Sequence, residues 1–325
     1  MEAFSRYISL QKQRAWLSRG WAHVRNGTWP ARAAWELHRL AEQRRALRWQ
    51  IRSRRGTTVK VMLQPGVRLR LFTDSELSRL IYVSGFERVE RQFVNALLRP
   101  GDIFVDVGAN IGLFSMIAAR LVAPDGRVYA FEPTERTYHR LCGNVALNRA
   151  QAIISTHQLA LSATAAILEL KLAAAGMDAW NSFGEPSVGG ACQSSPVEAV
   201  AWDDFAQQHG LVGKVALMKI DVEGWESQVL AGGATTLARP DAPTLLIEFT
   251  DDAALRAGTT CASLYAQLVG LGYRMFTYNP QRRCLVPDPL RASYPYVNLV
   301  AAKAPAAVEA RLLAARPQAP GSKCN

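Results

Sequence analysis

The chain has 325 residues, 49% of them hydrophobic, and a formal net charge of +11. This length allows a large buried core, and because no run of roughly 18 apolar residues occurs, we expect no membrane-spanning helix. Five cysteines without a CxxC pair and five histidines without HExxH spacing predict neither a disulfide framework nor a metal site, and they favour a cytoplasmic protein.

The positive charge is concentrated near the N-terminus. Residues 1–60 contain 14 basic and 3 acidic residues, whereas the rest of the chain contains 24 of each. Five of the eight tryptophans also lie in residues 1–56, and the segment from Pro30 to Ile51 has the apolar spacing of a helix. The sequence therefore predicts a basic, Trp-rich, helical extension over residues 1–56.

Three roles for this extension are open. In the first, an apolar stripe packs against the rest of the protein. The stripe consists of Ala33, Leu37, Leu40, Leu47 and Ile51. In the second, the arginines bind an anionic substrate or an anionic membrane surface, which would place the protein at the inner membrane face. In the third, they bind nucleic acid.

Strand and helix patterns begin after this extension. Residues 57–100 contain two short strand patterns, at 57–63 and 67–72, followed by a helical pattern at 76–98. We interpret residues 57–100 as N-terminal strands and a helix that lead into the core domain.

The core domain is predicted at residues 101–303, where strands and helices alternate as in an α/β layered fold. Five apolar runs have the length of buried parallel strands: 102–107, 127–131, 153–159, 215–220 and 244–249. A terminal pair of strands is predicted at 273–278 and 296–301. Residues 176–195 are rich in Gly, Ser and Pro and predict a long loop, and residues 304–325 are expected to form a disordered tail.

The strongest functional signal is the segment Asp106-Val107-Gly108-Ala109-Asn110-Ile111-Gly112, between a predicted strand and a predicted helix. Gly108 allows a tight turn, and the missing side chains at Gly108 and Gly112 let a ligand approach the backbone. Asp106, at the carboxyl end of the strand, can accept a hydrogen bond from an ammonium group. Ligands of open α/β sheets bind in this crevice.

Glu132 supplies a second signal. It ends the next predicted strand, 24 residues after Gly108, which is close to the offset of a ribose-binding carboxylate. The two signals together fit either a dinucleotide or S-adenosylmethionine. The methyl donor is favoured, because Asn110 stands where a dinucleotide motif has glycine and because Asp106 would repel a pyrophosphate.

Three acidic residues follow two later strands at the same sheet edge. Asp221 and Glu223 follow the strand at 215–220, and Glu248 ends the strand at 244–249. If they converge, one carboxylate could act as general base for an alcohol acceptor. Other roles stay open, because Glu223 could cap the next helix and Glu248 could pair with a basic residue. A metal site is not predicted, since no further oxygen ligand is evident.

Together these stretches resemble the FkbM-type family of S-adenosylmethionine-dependent methyltransferases. The similarity spans residues 80–302 and is carried by residues 101–112, 131–133, 144–148, 160–162 and 218–226. It implies a Rossmann-like, seven-stranded class I methyltransferase sheet with helices on both faces. It also implies O-methylation of a hydroxyl on a sugar, a glycan or glycolipid, or a secondary metabolite.

The resemblance also implies roles for individual residues. The amino acid part of the donor would be held by Asp106, Gly108, Ala109, Asn110 and Gly112. The ribose would be held by Glu132, and the adenine would lie near Gln158, Leu159 and Ala160. Acceptor contacts are expected from Glu87, which belongs to an aromatic-Glu pair of the family, and from Trp180, Asn181 and Ser182. Trp180 departs from the family pattern.

Two other functions stay open at this point. The basic N-terminus would suit a nucleic-acid methyltransferase, but no DPPY or NPPY tetrapeptide occurs and a nucleic-acid partner is not expected. A non-catalytic Rossmann-fold binding protein is the other alternative, and the intact segment 106–112 argues against it. The expected partner is a small-molecule or carbohydrate acceptor.

Overall fold

The computed structural model describes residues 29–187 and 191–314. The N-terminal half of the predicted extension and the last eleven residues of the predicted tail lie outside this part of the chain. The described residues form two compact units: the first comprises residues 29–61 and 71–86, and the second comprises residues 62–70, 87–187 and 191–314.

The first unit contains helices α1 (Trp29–Ser53) and α2 (Glu76–Val83). Helix α1 confirms the helix predicted from Pro30 to Ile51. Its packing side chain is Trp49, which is 5% exposed and whose ring centroid lies 5.3 Å from that of Tyr82.

The apolar stripe predicted on α1 is not the face that packs. The four described members of the stripe are 43–68% exposed: Leu37, Leu40, Leu47 and Ile51. Trp49 lies on another face of the helix, and its indole ring buries more apolar surface area than a leucine side chain can. The Ala33 side chain is not among the side chains that the structure describes. The expectation that this stripe packs on the protein is therefore wrong for these four residues.

A separate two-stranded sheet consists of β1 (Thr58–Gln64) and β2 (Val67–Phe72), as predicted. The second unit continues with α3 (Arg88–Leu97), β3 (Ile103–Val107), α4 (Leu113–Val122), β4 (Arg127–Phe131), α5 (Glu135–Leu147) and β5 (Ile154–His157). After an inserted sheet come α6 (Trp202–Gln208), β9 (Val215–Ile220), α7 (Glu226–Gly232), α8 (Ala234–Ala238), β10 (Thr244–Phe249), α9 (Asp251–Arg256) and α10 (Cys261–Gly270). The last elements are β11 (Arg274–Asn279), β12 (Cys284–Pro287), β13 (Val297–Ala302) and α11 (Pro305–Ala314).

The main sheet, within the described residues, has eight strands in the order β12-β11-β13-β10-β9-β3-β4-β5. Strands β5, β4, β3, β9 and β10 are parallel, and β13 is antiparallel to both β10 and β11. Successive strands are added on one side of β3 as β4 and β5, and on its other side as β9 and β10. The switch point therefore lies between β3 and β9, which is where open α/β sheets bind ligands. The predicted α/β class and terminal strand pair are confirmed. The eighth strand is β12, an edge hairpin with β11 that the seven-strand expectation lacked.

Helices cover both faces of this sheet. On one face, strand residues such as Val105 and Met218 pack with side chains of α6, α7 and α10 in one apolar cluster. On the other face, Asp106 of β3 bonds Ser115 of α4. Residues of β3 alternate between these two faces, so the parallel strands are buried on both sides, as their continuous apolar runs require.

The inserted sheet has three strands in the order β6-β8-β7, formed by β6 (Ala160–Leu161), β7 (Ala166–Ala173) and β8 (Ala191–Val200). The loop predicted at 176–195 is therefore too long, because residues 191–195 belong to β8. Antiparallel pairing with β7 satisfies the backbone of this polar segment, which composition alone does not reveal.

The predicted disordered tail needs a correction as well. Residues 305–314 form α11, with Val308 and Leu312 buried and with Arg311 ion-paired to Asp102. An alanine-rich composition does not by itself indicate disorder, because alanine is the strongest helix former and two apolar side chains give this helix a packing face. None of the described helices is long and apolar enough to cross a bilayer.

Candidate functional site

The turn between β3 and α4 contains the glycine segment predicted to hold a ligand. Gly108 and Gly112 have φ values of +78° and +87°, in the left-handed region. A Cβ atom at Gly108 would lie 1.9 Å from the carbonyl oxygen of Asp221, and one at Gly112 would lie 2.6 Å from the side chain of Leu141. Both glycines are therefore required by the protein's own close packing. Ala109, between them, is buried.

Asp106 lies in β3, beneath this turn. Its side chain is 1% exposed, and its Oδ2 accepts a 2.6 Å hydrogen bond from the Ser115 hydroxyl. Its Oδ1 is buried and, among the described residues, has no hydrogen-bond partner. Burial raises the pKa of Asp106, against the opposing effect of Lys219. Contact between Asp106 and the donor's ammonium group stays a prediction.

Glu132 directly follows β4 and is 6% exposed. Its Oε2 accepts a 3.0 Å hydrogen bond from the Asn110 backbone N–H, and its Oε1 accepts a 3.0 Å hydrogen bond from the Thr134 N–H. Burial raises the pKa of Glu132 to about 7, although the hydrogen bonds from Thr134 and Asn110 lower it. Each carboxylate oxygen retains acceptor capacity toward the pocket. A group with two adjacent hydroxyls, such as a ribose, fits this carboxylate.

A pocket opens above the carboxyl ends of β3 and β4. It encloses about 550 Å³, open solvent at its mouth included. The lining includes the following predicted site residues: Gly108, Asn110, Glu132, Leu159, Ala160, Asn181, Asp221 and Glu223. Further lining residues that the sequence did not single out include Thr134, Leu170, Asp178 and Phe183. The predicted residues that do not line it are Asp106, Ala109, Gly112, Gln158, Trp180, Ser182, Glu87 and Glu248.

The segment 178–183 forms one wall of the pocket, starting with a 3₁₀ turn at Asp178–Trp180. Asn181 Oδ1 accepts a hydrogen bond from the Ala173 N–H, and Asn181 Nδ2 donates to Thr134 Oγ1 at 3.3 Å. Ser182 is buried, and its hydroxyl donates to the Glu223 carbonyl at 2.8 Å. Trp180 is 9% exposed. Asn181 and Ser182 therefore fasten this wall to the ends of the main sheet.

The three predicted acidic residues converge. One carboxylate oxygen from each of Asp221, Glu223 and Glu248 lies within 4.8 Å of the other two. Lys219 Nζ lies 2.6 Å from Asp221 Oδ2, and Lys219 itself is 3% exposed. Glu248 Oε1 accepts a 3.0 Å hydrogen bond from Thr250 Oγ1. The neighbouring carboxylates and burial hold the pKa of Glu248 well above its ordinary value, with burial the larger cause.

The structure separates the alternatives that the sequence left open for these acids. The buried lysine pairs with Asp221, and Glu248 has no ion pair among the described contacts. Among the described residues, no side chain makes a capping hydrogen bond at Trp225, the N-cap of α7. Glu226 Oε1 accepts hydrogen bonds from the N–H groups of Val222 at 3.0 Å and Gly224 at 3.4 Å, in the turn that precedes the helix. Glu223 instead has a left-handed backbone with φ of +52°.

Glu87 belongs to a polar group beside these acids that sequence reasoning found only in part. Its Oε1 accepts hydrogen bonds from Tyr296 Oη at 3.0 Å and Asn298 Nδ2 at 3.2 Å. Lys219, Tyr296 and Asn298 were missed. A signal for Lys219 was available, because a lysine inside the apolar strand run Val215–Ile220 cannot be buried without a charged partner.

The sheet, the glycine turn after its first parallel strand and the carboxylate after the second define a Rossmann-like S-adenosylmethionine-dependent methyltransferase. Residues 106–275 match the methyltransferase FkbM domain, and the chain belongs to this family. S-adenosylmethionine is its cofactor, and the chemistry of Glu132 and the close turn at Gly108 fit that donor.

Three relatives have been described by name. The chain is 30% identical over 194 residues to methyltransferase sdnD of Sordaria araneosa, and this alignment covers 48% of this chain and 74% of that protein. It is 30% identical over 164 residues to 31-O-demethyl-FK506 methyltransferase FkbM of Streptomyces tacrolimicus, covering 42% and 60%. It is 28% identical over 156 residues to hexuronic acid methyltransferase AglP of Haloferax volcanii, covering 46% and 59%. The match thus spans about three fifths of the latter two proteins.

Proposed function

We propose that the protein transfers a methyl group from S-adenosylmethionine to a hydroxyl oxygen of a sugar, a glycan or glycolipid, or a secondary metabolite. The observation that carries this proposal is the acid cluster of Asp221, Glu223 and Glu248 beside the donor pocket. The names of two relatives, one acting on a hexuronic acid and one on a demethylated FK506, favour a hydroxyl of a sugar or a secondary metabolite.

The donor-binding residues form one end of the proposed site. Bound donor supplies a sulfonium methyl group for in-line transfer. In the proposal, Glu132 accepts hydrogen bonds from the ribose hydroxyls, and Gly108, Ala109, Asn110 and Gly112 shape the turn against which the amino acid part lies. Asp106, beneath the turn, accepts a hydrogen bond from the ammonium group of the donor, and the segment 158–160 borders the adenine.

The acceptor end lies at the carboxyl ends of β9 and β10. Methyl transfer to an alcohol requires loss of the hydroxyl proton, and a nearby carboxylate can accept it. Glu223 is our preferred base, because it lines the pocket while the Asp221 carboxylate is paired with Lys219. Glu248 lies deeper and completes the acidic group. Asn181 contributes to the acceptor wall, and Glu87, Trp180 and Ser182 position the surrounding backbone.

The test of the donor assignment is a binding measurement with S-adenosylhomocysteine. We expect a saturable increase in melting temperature with this ligand and none with NAD, because Glu132 and the close turn suit the methyl donor. Glu132→Gln should weaken binding about tenfold or more, since it removes a charged acceptor of two hydroxyls. The exposed Glu169→Gln is the control. No stabilisation of the unaltered protein at saturating ligand would contradict the assignment.

For residues 1–56 we propose peripheral binding to an anionic membrane surface. The exposed side chains of Leu37, Leu40, Leu47 and Ile51 support this role, as do exposed arginines on the same part of α1, among them Arg44. An apolar stripe bordered by cations suits the interface of an anionic bilayer. An anionic acceptor is the alternative occupant of this surface.

A further inference from the structure

We propose that Asp221, Glu223 and Glu248, together with the amide oxygen of Asn298, bind one divalent cation through oxygen ligands. This inference deepens the proposed function, on which its catalytic meaning rests. Cation binding itself can be measured without turnover.

The spacing of the carboxylates suits a single ion. One oxygen from each acid lies within 4.8 Å of the others. Two oxygens bound to the same Ca²⁺ are at most about 5 Å apart, and two bound to the same Mg²⁺ about 4 Å apart. The observed spread is therefore close to that of Ca²⁺ ligands, and Mg²⁺ or Mn²⁺ requires a further contraction.

Two buried oxygens at this place have no hydrogen-bond donor among the described residues, and the one on Asn298 is independent of the clustering of the acids. They are Oε2 of Glu248, a residue 4% exposed, and Oδ1 of Asn298, a residue 8% exposed. Burying an acceptor without a hydrogen bond is unfavourable, so such atoms are expected to have a ligand. A cation satisfies both because it needs acceptors only.

The sheet pairing brings these two residues together. Glu248 and Asn298 are directly opposite in the antiparallel ladder of β10 and β13, so their side chains are on the same face. Asn298 Nδ2 donates to Glu87 Oε1, which leaves its oxygen for another partner. The sequence offered no fourth oxygen ligand because Asn298 is 50 residues beyond Glu248.

The charges of the group also favour a divalent cation. Asp221, Glu223 and Glu248 carry three negative charges when ionised, and Lys219 offsets only one of them. A single divalent ion would bring these groups to neutrality. Without it, like charges at this separation repel strongly in a largely buried site.

A cation here would serve the acceptor. An ion with oxygen ligands can coordinate a substrate hydroxyl, lower the pKa of that hydroxyl and hold its oxygen near the donor pocket. The hydroxyl proton would then leave to a carboxylate of the cluster or to water, and the oxygen would attack the methyl carbon while the bond from carbon to sulfur breaks.

The test uses the full chain and Mn²⁺ alone, with binding followed by the electron paramagnetic resonance signal of free Mn²⁺ and by calorimetry. We expect one saturable site per chain, for which Ca²⁺ and Mg²⁺ compete. Glu248→Gln and Glu223→Gln should each weaken Mn²⁺ binding about tenfold or more. Glu198→Gln, an exposed carboxylate on β8, should leave it unchanged.

S-adenosylhomocysteine binding, measured on the same samples, reports folding of each variant and separates the two proposals. Absence of saturable Mn²⁺ binding in protein that binds this ligand normally would overturn the cation site and leave the proposed function standing. Mn²⁺ binding undiminished in both variants would also overturn the site. Loss of ligand binding by the unaltered chain would overturn the proposed function alone.

Discussion

Glu132 has two requirements that oppose each other. In the proposed role it accepts hydrogen bonds from a ribose as a carboxylate, yet its burial raises its pKa to about 7. Two backbone N–H groups, from Asn110 and Thr134, hold the carboxylate in place, at a distance of 3.0 Å each. Because only the ionised form can accept from both hydroxyls, the protonation of this one residue should control donor affinity near neutral pH.

Donor binding should depend on pH near neutrality. The affinity for S-adenosylhomocysteine should rise as the pH increases through about 7 and level off above it, because Glu132 loses its proton there. Glu132→Gln should flatten the part of the profile between pH 6 and pH 8, and Glu169→Gln should leave it unchanged. Calorimetry over this range is the measurement, and an unaltered profile in Glu132→Gln would contradict the role.

The stability of the unliganded protein should change in the opposite direction. The pKa of Glu132 is higher in the folded state, so its contribution to the free energy of unfolding is present in full below its ordinary value of 4.5 and is lost as the pH rises through about 7. The full loss corresponds to about 3 kcal/mol. Urea unfolding at pH 5 and pH 8 should show a smaller difference in Glu132→Gln than in the unaltered protein.

Gly108 permits a backbone contact that no other residue would allow. Gly108→Ala should destabilise the protein by at least about 2 kcal/mol more than Gly101→Ala. Both positions have positive φ, but a Cβ at Gly101 meets no atom within 4 Å, whereas one at Gly108 would overlap the Asp221 carbonyl. Equal losses in the free energy of unfolding would mean that the turn can shift away from Asp221.

At the scale of elements, the site depends on where strands end. Parallel strands β3, β4, β9 and β10 terminate at one edge, so residues from distant parts of the chain meet there. The inserted β7 and β8 then support the wall that contains Asn181, through the contact with Ala173. The proposed donor end of the pocket thus comes from the main sheet, and part of the proposed acceptor end comes from the insertion.

Helix α11 is part of the packed second unit, and substitutions of two adjacent leucines, one buried and one exposed, can test this. Leu312 is completely buried and Leu313 is 67% exposed. Leu312→Ala should lower the free energy of unfolding by about 2–5 kcal/mol, because it leaves a cavity, whereas Leu313→Ala should change it by less than about 0.5 kcal/mol. Similar small effects of both variants in chemical denaturation would indicate that α11 is not docked in solution.

At the scale of the whole molecule, the charge is divided unevenly along the chain. Residues 1–60 account for the entire net charge of +11, since basic and acidic residues balance in the remainder. A basic segment of this kind suits an anionic membrane surface or an anionic acceptor. We propose the membrane surface, because exposed apolar side chains accompany the charge on α1.

The proposed membrane role predicts binding of the full chain to vesicles that contain phosphatidylglycerol. Binding should weaken as salt screens the charges, and it should be absent with purely zwitterionic vesicles. Leu37→Ser combined with Leu47→Ser should reduce binding further, because both side chains are exposed and available to the bilayer. Leu313→Ser is the matched control. Unchanged sedimentation of the double variant with vesicles would argue against insertion of the stripe.

The alternating pattern and a few residues determined the fold class and the donor pocket. Asp106, Gly108 and Glu132 could be found from sequence because each lies next to the end of a strand, and parallel strands place their ends at one edge. The same reasoning brought Asp221, Glu223 and Glu248 to one crevice. Local order along the chain is sufficient for such features, since each depends on one strand and the turn that follows it.

Tertiary structure decided the features that depend on pairing between distant segments. Asn298 lies beside Glu248 only through the register of β13 against β10, and Lys219 meets Asp221 in a buried position that periodicity cannot assign. The order of α11 depends on burial of Val308 and Leu312, and the packing of α1 on Trp49 depends on Tyr82. Burial is a property of the assembled fold, so composition alone could not predict these outcomes.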